Sequence, residues 1–222
     1  MLPDNFAVLL VGDPSSGMFE FCAYLAATHL NADERLVFVE SNTSTMRVRD
    51  RLFSFGIDSV EYEDRGMLAF VDMHTSTGVV ENDSKAIRAD DLTNLEKVIE
   101  KVEEAIVKVG GHPVVVLFDS VTPLYMYNDS SEVGKFFSAL SSMIKVSGKL
   151  TATVHQDIVP DEQISLLSTI ADGVLEMMVD KDFHRFVRIK HFRGLTISPK
   201  WVPIEFEESE EEEPEVLNWR GR

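Results

Sequence analysis

The sequence predicts an α/β protein with a doubly wound, mostly parallel sheet that ends in an antiparallel β meander. Up to about residue 170, short continuous apolar runs alternate with segments of helical periodicity. Such runs are typical of strands that are buried on both faces. After residue 170, three strand-like stretches follow without helices between them. Helical crossovers give parallel strands and direct hairpins give antiparallel ones, so this order predicts a parallel sheet with an antiparallel edge.

The first half of the chain alternates strongly between the two patterns. A glycine ends the first apolar run at Gly12, and Gly56 closes the second helical segment, as glycine often does. Residues 75–90 are polar and without periodicity, which indicates a loop. The strands predicted here are Phe6–Val11, Leu36–Val39 and Leu68–Met73, and the helices are Phe19–Leu30, Met46–Phe55 and Leu92–Val109.

The second half begins with Val114–Phe118, the most strand-like run of the chain, which ends in Asp119. The elements predicted after it are a helix at Glu132–Lys145, a strand at Leu150–Val154, a helix at Glu162–Ile170, and strands at Val174–Val179, Phe186–Ile189 and Trp201–Phe206. We expect one domain over residues 1–206 and an acidic, mobile tail over residues 207–222.

The composition argues against two classes of partner. The formal charge is −17, and eight glutamates lie between Glu205 and Glu215. The rest of the chain is still acidic, whereas a protein that binds nucleic-acid backbones needs an excess of Lys and Arg. The same argument disfavours anionic membranes. The single Cys22 cannot form an internal disulfide, and the start of the chain lacks a basic signal region, so we expect a cytoplasmic protein.

A candidate phosphate-binding loop lies between the first strand and the first helix. Both glycines of the pattern G-x-x-x-x-G-K-[ST] are present, but Met18 replaces the lysine and Phe19 replaces the metal-binding hydroxyl. Backbone N–H groups can still attract an anion, although a lost charge-assisted contact costs roughly 1.5–3 kcal/mol. We favour a turn with at most vestigial binding over productive Mg-ATP chemistry. The candidate cofactor-binding residues are Gly12, Asp13, Pro14, Ser15, Ser16, Gly17, Met18, Phe19 and Asp119.

Several further segments, in their order and spacing, resemble the RecA-like ATPases of the KaiC family, which include archaeal single-domain members. The similarity extends from about Phe6 to Phe206, and it implies a RecA-like P-loop fold with a degenerate Walker A loop. The segments that carry it are Ser54–Asp58 (SFGID), Leu68–Asp72 (LAFVD), Asp91–Leu95 (DLTNL), Val114–Ser120 (VVVLFDS), Ile170–Val174 (IADGV) and Ile189–Gly194 (IKHFRG).

The resemblance assigns roles to acidic positions. Asp119 matches the aspartate that contacts the Mg²⁺ shell through water, so it is a metal residue only if Mg²⁺ binds. The family's catalytic pair of glutamates falls on Asn42 and Thr43, and both carboxylates are therefore missing. Glu40 could substitute only if its strand shifted by two residues, which would keep the same face.

The resemblance also assigns roles to basic positions. Arg193 matches an arginine that reaches the phosphates of a neighbouring subunit, and His191 falls on a lysine position. Strand alternation would place His191 and Arg193 on one face and Lys190 on the other. The basic cluster comprises Arg185, Arg188, Lys190, His191 and Arg193. It is either a solvated hairpin or a partner of the acidic tail or of a neighbouring subunit. Gln156 is either a phosphate sensor or a loop cap.

Three functions follow. The leading hypothesis is a relative that has lost ATP hydrolysis and serves a regulatory, signalling or scaffolding role, through contacts with itself as a homo-oligomer or with an active paralogue. The second is a weak or conditional ATPase that binds ATP or ADP with Mg²⁺ and uses Asp119, Glu40 and Arg193. The third is a recombinase-accessory role on DNA, which the acidity disfavours.

Overall fold

The computed structural model describes residues 4–74 and 83–206. They form a nine-stranded sheet with helices on both faces. The strands are β1 (Phe6–Gly12), β2 (Leu36–Glu40), β3 (Leu68–Asp72), β4 (Ile87–Arg88), β5 (Val114–Asp119), β6 (Gly148–His155), β7 (Gly173–Val179), β8 (Arg185–Phe192) and β9 (Val202–Ile204). The helices are α1 (Met18–Asn31), α2 (Thr45–Ser54), α3 (Ser59–Asp64), α4 (Leu95–Lys108), α5 (Ser130–Ile144) and α6 (Asp161–Ile170), with a 3₁₀ helix at Thr122–Met126.

The sheet order is β4-β3-β2-β5-β6-β1-β7-β8-β9. Neighbours from β4 to β7 are parallel, and β8 and β9 each pair antiparallel to the strand before them. The predicted fold class is therefore confirmed. We call the side where the parallel strands end the carboxyl edge, and the side where they begin the amino edge. Ligands of such sheets bind outside the carboxyl edge.

Two apolar cores lie on the two faces of the sheet. Alternate residues of each central strand enter opposite cores, as the pleat requires. On β2, for example, Val37 and Val39 join the core formed with α4, α5 and α6, whereas Leu36 and Phe38 join the core formed with α1 and α2. Every residue of β2, β3 and β5 is buried, which explains why these strands read as continuous apolar runs.

Three short elements were missed by the sequence prediction because they are too short to show a period. These are α3, the 3₁₀ helix and β4, which lies inside the segment predicted as loop. The side chain of Asp58 starts α3 by accepting hydrogen bonds from the N–H groups of Val60 and Glu61. The predicted start of α4 at Leu92 was three residues early, because Asn94 caps the helix.

Other predictions concern residues beyond the described ranges. Residues 75–82 of the predicted loop and the whole predicted tail, 207–222, lie outside the described residues. The predicted last strand, 201–206, is shortened to β9.

Across the described part of the chain, the helices all fall short of the length and apolar character needed to cross a membrane.

Candidate functional site

The loop between β1 and α1 is a tight turn organised by Asp13. One carboxylate oxygen of Asp13 accepts hydrogen bonds from the N–H of Ser15 at 2.8 Å and from its hydroxyl at 2.5 Å. The carbonyl of Asp13 accepts from the N–H of Ser16 at 3.1 Å and from its hydroxyl at 2.7 Å. Pro14 and Ser15 are exposed, whereas Ser16 is fully buried. Both serine hydroxyls are therefore engaged within the loop itself.

The packing around the loop requires both of its glycines. A Cβ at Gly12 would lie 2.5 Å from the hydroxyl of Ser16. Gly17 has a φ of +86° and caps the start of α1. A Cβ at Gly17 would lie 2.7 Å from Nε of Arg185, so that side chain packs directly against the glycine. The glycine pattern is thus retained for geometry that the present loop still uses.

The position of the nucleotide lysine is occupied by a core residue. Met18 is 3% exposed and belongs to the apolar core beside α1, together with Leu10, Phe21 and Met177. Phe19 packs against the same core from a partly buried position. The structure therefore turns the Met18 side chain into the protein interior, and neither residue offers a charge or an oxygen ligand.

Three acidic residues end three neighbouring strands in one row. Glu40 is in register with Asp72 on β3 and with Asp119 on β5, and all three are at most 2% exposed. Since neighbours in register share a face of the sheet, their side chains lie on the α1 side. Oε1 of Glu40 accepts from the N–H groups of Asn42 at 2.7 Å and Thr43 at 2.9 Å. Among the described residues, Oε2 of Glu40 has no hydrogen-bond partner.

A catalytic role for Glu40 was predicted to require a shift of β2 by two residues. In the structure β2 ends at Glu40, in register with β3 and β5, and the shift is not seen. The carboxylate of Glu40 holds the turn that follows the strand, which also fixes Asn42 and Thr43. Burial raises the pKa of Glu40 well above its usual value, and the charge of Asp119 raises it further. Glu40 is thus a buried turn-capping acid in this structure.

Asp119 is buried close to two other acidic residues, Glu40 and Glu20. Its Oδ1 accepts from the hydroxyl of Thr153 at 2.5 Å and from the side-chain amide of Asn42 at 3.2 Å. Burial raises the pKa of Asp119 to about 6, and repulsion from Glu20 in the first turn of α1 contributes to the rise. Asp119 and α1 are therefore close in space, as a nucleotide site requires.

The residues present do not suit a Mg²⁺ ion. Mg²⁺ requires near-octahedral oxygen ligands, and the P-loop residue that should supply one is Phe19. Within the described ranges, the carboxylate and imidazole groups close enough to share an ion are Asp180, Asp182 and His184, on the turn between β7 and β8. The buried acidic row is not among them.

Most of the basic hairpin is already paired. The carboxylate of Glu176 accepts from Nε of Arg188 at 2.7 Å and pairs with Nζ of Lys190 at 2.7 Å. The guanidinium of Arg188 also lies 4.4 Å from the ring centroid of Trp201. Arg185 differs: in the described part of the chain it has no carboxylate partner, and it contacts Gly17 and the ring of Phe206. Pairing of the cluster with the acidic tail stays a prediction.

Arg193 lies at the amino edge, opposite the loop. Its guanidinium donates to the carbonyl of Thr169 at 3.0 Å and lies 3.6 Å from Asp172, which also accepts from the N–H of Ala7 at the start of β1. The seven residues of β1 separate this edge from the loop by ~20 Å. Arg193 therefore cannot serve the loop of its own chain, and a role in a neighbouring subunit stays a prediction.

The predicted alternation along β8 was wrong at one point. A register shift opposite Val174 and Leu175 interrupts the alternation. Lys190 and His191 consequently both line a groove of about 440 Å³, together with Gln156. The N–H of Gln156 donates to the carbonyl of Gly12 at 3.0 Å, so its backbone helps to hold the end of β1.

Sequence reasoning missed the contact between Arg185 and the loop. Arg185 was recognised only as a member of a basic cluster. The topology could have revealed this contact. Because β7 runs parallel to β1 and ends at the carboxyl edge, β8 must begin at that edge, and Arg185 is its first residue. The roles of Thr153 and Glu20 beside Asp119 carried no sequence signal, since they depend on how β6 and α1 pack.

The chain is similar to known proteins in both sequence and fold. Residues 2–211 match the family described as ATPase: KaiC. The UPF0273 protein PH0284 of Pyrococcus horikoshii is 32% identical over 209 residues, which cover 92% of this chain and 83% of that protein. A UPF0273 protein of Aeropyrum pernix is 35% identical over 210 residues, with the same two coverages.

A solved structure agrees with the fold. The crystal structure of the KaiC-like protein PH0186 from Pyrococcus horikoshii superposes with a TM-score of 0.70 and 19% sequence identity. The superposition covers 92% of this chain and 87% of that one. The family match over nearly the whole chain, the two relatives and the common fold together show that the chain belongs to the KaiC-like ATPase family of the RecA superfamily.

Proposed function

We propose that this chain does not hydrolyse ATP and that it serves a regulatory, signalling or scaffolding role through contacts with other protein chains. One observation carries the proposal: Met18, at the position of the nucleotide lysine, is a buried core residue. A lysine there would contact the β- and γ-phosphates. An apolar side chain that turns into the core cannot replace that contact.

Two further losses support the proposal. Phosphoryl transfer relies on charge stabilisation by a metal ion and on a residue that orients the nucleophile. Phe19 removes the loop's metal ligand, and Asn42 and Thr43 stand where the family's catalytic carboxylates would be. Glu40 is held at the end of β2 by its bonds to the following turn, which supports a capping role for it. A fold can persist after its chemistry is lost because different residues specify the core and the site.

Protein partners fit the remaining surface better than nucleic acid does. The chain has a net charge of −17, and three residues of the basic cluster are paired: Arg188 and Lys190 with Glu176, and Arg193 with Asp172. The position of Arg193 at the amino edge supports a second copy or an active relative as the partner, because that arginine could reach only the loop of another chain. A homo-oligomer is part of this proposal.

A sensitive phosphate-release assay tests the proposal. We expect the wild-type protein with Mg-ATP to release phosphate at the same rate as the Asp119→Ala variant, which measures contaminating activity. Assays over a range of protein concentrations cover a ring or dimer that forms only at high concentration. Release by the wild type that Asp119→Ala abolishes would overturn the proposal.

A weak or conditional ATPase is the second candidate, and one observation favours it. Glu40 and Asp119 are adjacent buried acids near α1, and burial raises the pKa of both. A carboxylate with a raised pKa is a better proton acceptor for an attacking water than an ordinary one. This alternative predicts slow release that Glu40→Gln abolishes and that increases with protein concentration, because Arg193 would act on another chain.

A further inference from the structure

We infer that the exposed face of α2 binds the C-terminal tail of the same chain, residues 207–222. In this arrangement the glutamates of the tail pair with Arg47 and Arg51, and its apolar residues pack on Met46 and Phe53. The inference concerns an interaction surface, so it stands or falls independently of the proposed loss of hydrolysis.

The described part of the chain ends at this surface. Phe206, which follows β9, lies 6.2 Å from Tyr24 on α1 and 6.4 Å from Phe55, the residue after α2, measured between ring centroids. Phe55 and Phe206 are both packed against the core on this face of the sheet. The chain therefore crosses α1 after the last strand, and the tail begins beside the end of α2.

α2 is a basic helix in an acidic chain, with three arginines and one acidic residue. Arg49 is turned inward to its two carboxylate partners. Arg47 is exposed, and among the described residues it has no carboxylate partner. Arg51 is partly exposed, and its guanidinium lies 4.9 Å from the ring centroid of Phe55. Since residues four apart share one side of a helix, Arg47 and Arg51 form a positive stripe beside the start of the tail.

The tail carries the opposite charge where it leaves this surface. Seven glutamates lie between Glu207 and Glu215. The guanidinium of Arg185, 5.8 Å from the ring centroid of Phe206, adds a further positive group at the same point. A single exposed ion pair is weak. A short connection nevertheless holds the tail at an effective concentration of about millimolar, so several weak contacts together can hold it in place.

The other exposed side of α2 is apolar. Met46 is 47% exposed and Phe53 is 64% exposed. They are seven positions apart, which is close to two helical turns, so both lie on one stripe. The tail has an apolar group of its own after its glutamates. That group consists of Val216, Leu217 and Trp219.

The order of residues in the tail matches the order of the two stripes. Nine residues separate Phe206 from Val216 and can span up to ~30 Å. The 10 residues of α2 extend over only ~15 Å, so the apolar group can reach the apolar stripe after the glutamates have passed the arginines. Asp50, the acidic residue of α2, can pair there with Arg220, which follows Trp219.

Fluorescence of Trp219 in the full-length protein tests the inference. Trp201→Phe leaves Trp219 as the single tryptophan, and acrylamide quenching then measures how well its indole is covered. We expect quenching at less than about one third of the rate for a free tryptophan amide, because packing on α2 covers most of the ring. The rate should be independent of protein concentration, since the tail binds its own chain.

Two exposed substitutions on α2 should release the tail. Phe53→Ser should weaken docking about tenfold through loss of the apolar contact. Arg47→Gln should weaken it about two- to fivefold, the effect of one exposed ion pair. Val107→Ser, at a 75% exposed position of α4 on the opposite face, and Lys190→Gln, on β8, are the matched controls and should leave quenching unchanged.

Several results would overturn the inference. Quenching of Trp219 as fast as that of the free amide would show that the tail is not bound, and protection that survives Phe53→Ser would place it elsewhere. Equal losses in Arg47→Gln and Lys190→Gln would assign the tail to the basic hairpin instead. Protection that increases with protein concentration would mean that the tail binds a second copy. Thermal unfolding of each variant checks that the fold is retained.

Discussion

At the scale of a single residue, the burial of Asp119 has an electrostatic consequence for stability. It is 2% exposed, and its folded pKa of about 6 lies above the usual aspartate value of ~3.9. A raised folded pKa means that protonated Asp119 suits the fold better than the ionised form. Its contribution to stability is therefore complete below about pH 4 and is lost as the pH rises through about 6.

Replacement of Asp119 by Asn removes this cost and keeps an acceptor for Thr153. We predict that Asp119→Asn unfolds at higher urea than the wild type at pH 7.5, with a gain of up to about 3 kcal/mol. The gain should shrink as the pH falls and approach zero only below about pH 4. Asp157→Asn, at an exposed acid after β6, is the control and should change stability little at either pH. A gain that is independent of pH would contradict the assignment.

The exchanges of residue type in the loop could be recognised from the sequence, whereas the orientation of the side chains could not. The two glycines fix the motif, so the exchanges at Met18 and Phe19 are visible without a structure. That Met18 turns into the core depends on the space left by the missing side chain of Gly12. The burial of Glu40 and Asp119 likewise depends on the alignment of β2 with β3 and β5, which local sequence does not encode.

At the scale of the elements, a buried ion-pair cluster joins α2, α3 and the chain that leads to β4. Arg49 pairs with Glu63 at 2.9 Å and also with Asp83, and all three side chains are at most 11% exposed. The Arg49 guanidinium lies 4.3 Å from the ring centroid of Phe70 on β3. Thr45, the first residue of α2, donates to Asp83 at 2.6 Å. The cluster fixes the helices that follow β2 against the sheet.

Truncation of Arg49 should therefore be costly. Arg49→Ala leaves two buried carboxylates unpaired, and we predict a loss of about 3–5 kcal/mol in the free energy of unfolding. Arg65 makes exposed pairs with Asp33 and Glu61, so the control Arg65→Ala should lose no more than about 1 kcal/mol. Chemical denaturation at pH 7 measures both variants. Equal losses would show that burial does not set the strength of these pairs.

Long elements were predictable because they repeat a period many times. The strands β1, β2, β3 and β5 are apolar up to their last residue since both of their faces are covered, and α4 shows one continuous apolar stripe. The six residues of α3 and the two of β4 are too short for any period. Their positions follow from the Asp58 cap and from pairing with β3, which are local and tertiary features respectively.

At the scale of the whole molecule, the fold places two groups of charged residues at opposite edges of the sheet. The carboxyl edge holds the loop, the buried acids and Arg185, and the amino edge holds Arg193 with Asp172. A doubly wound, mostly parallel sheet with an antiparallel edge could be predicted from the sequence of elements. The neighbourhood of Arg185 and Gly17 could not, because it joins positions 168 residues apart through the β7–β8 hairpin.

The central claim is that this carboxyl edge does not hold a metal–ATP complex. Anomalous diffraction from crystals grown with Mn²⁺ and a non-hydrolysable ATP analogue tests it most directly, because Mn²⁺ replaces Mg²⁺ and can be located by its own scattering. The account predicts no Mn²⁺ peak between Asp119 and the start of α1, whether or not the analogue is bound. A Mn²⁺ peak there, coordinated by a phosphate oxygen and linked to Asp119 directly or through water, would contradict it.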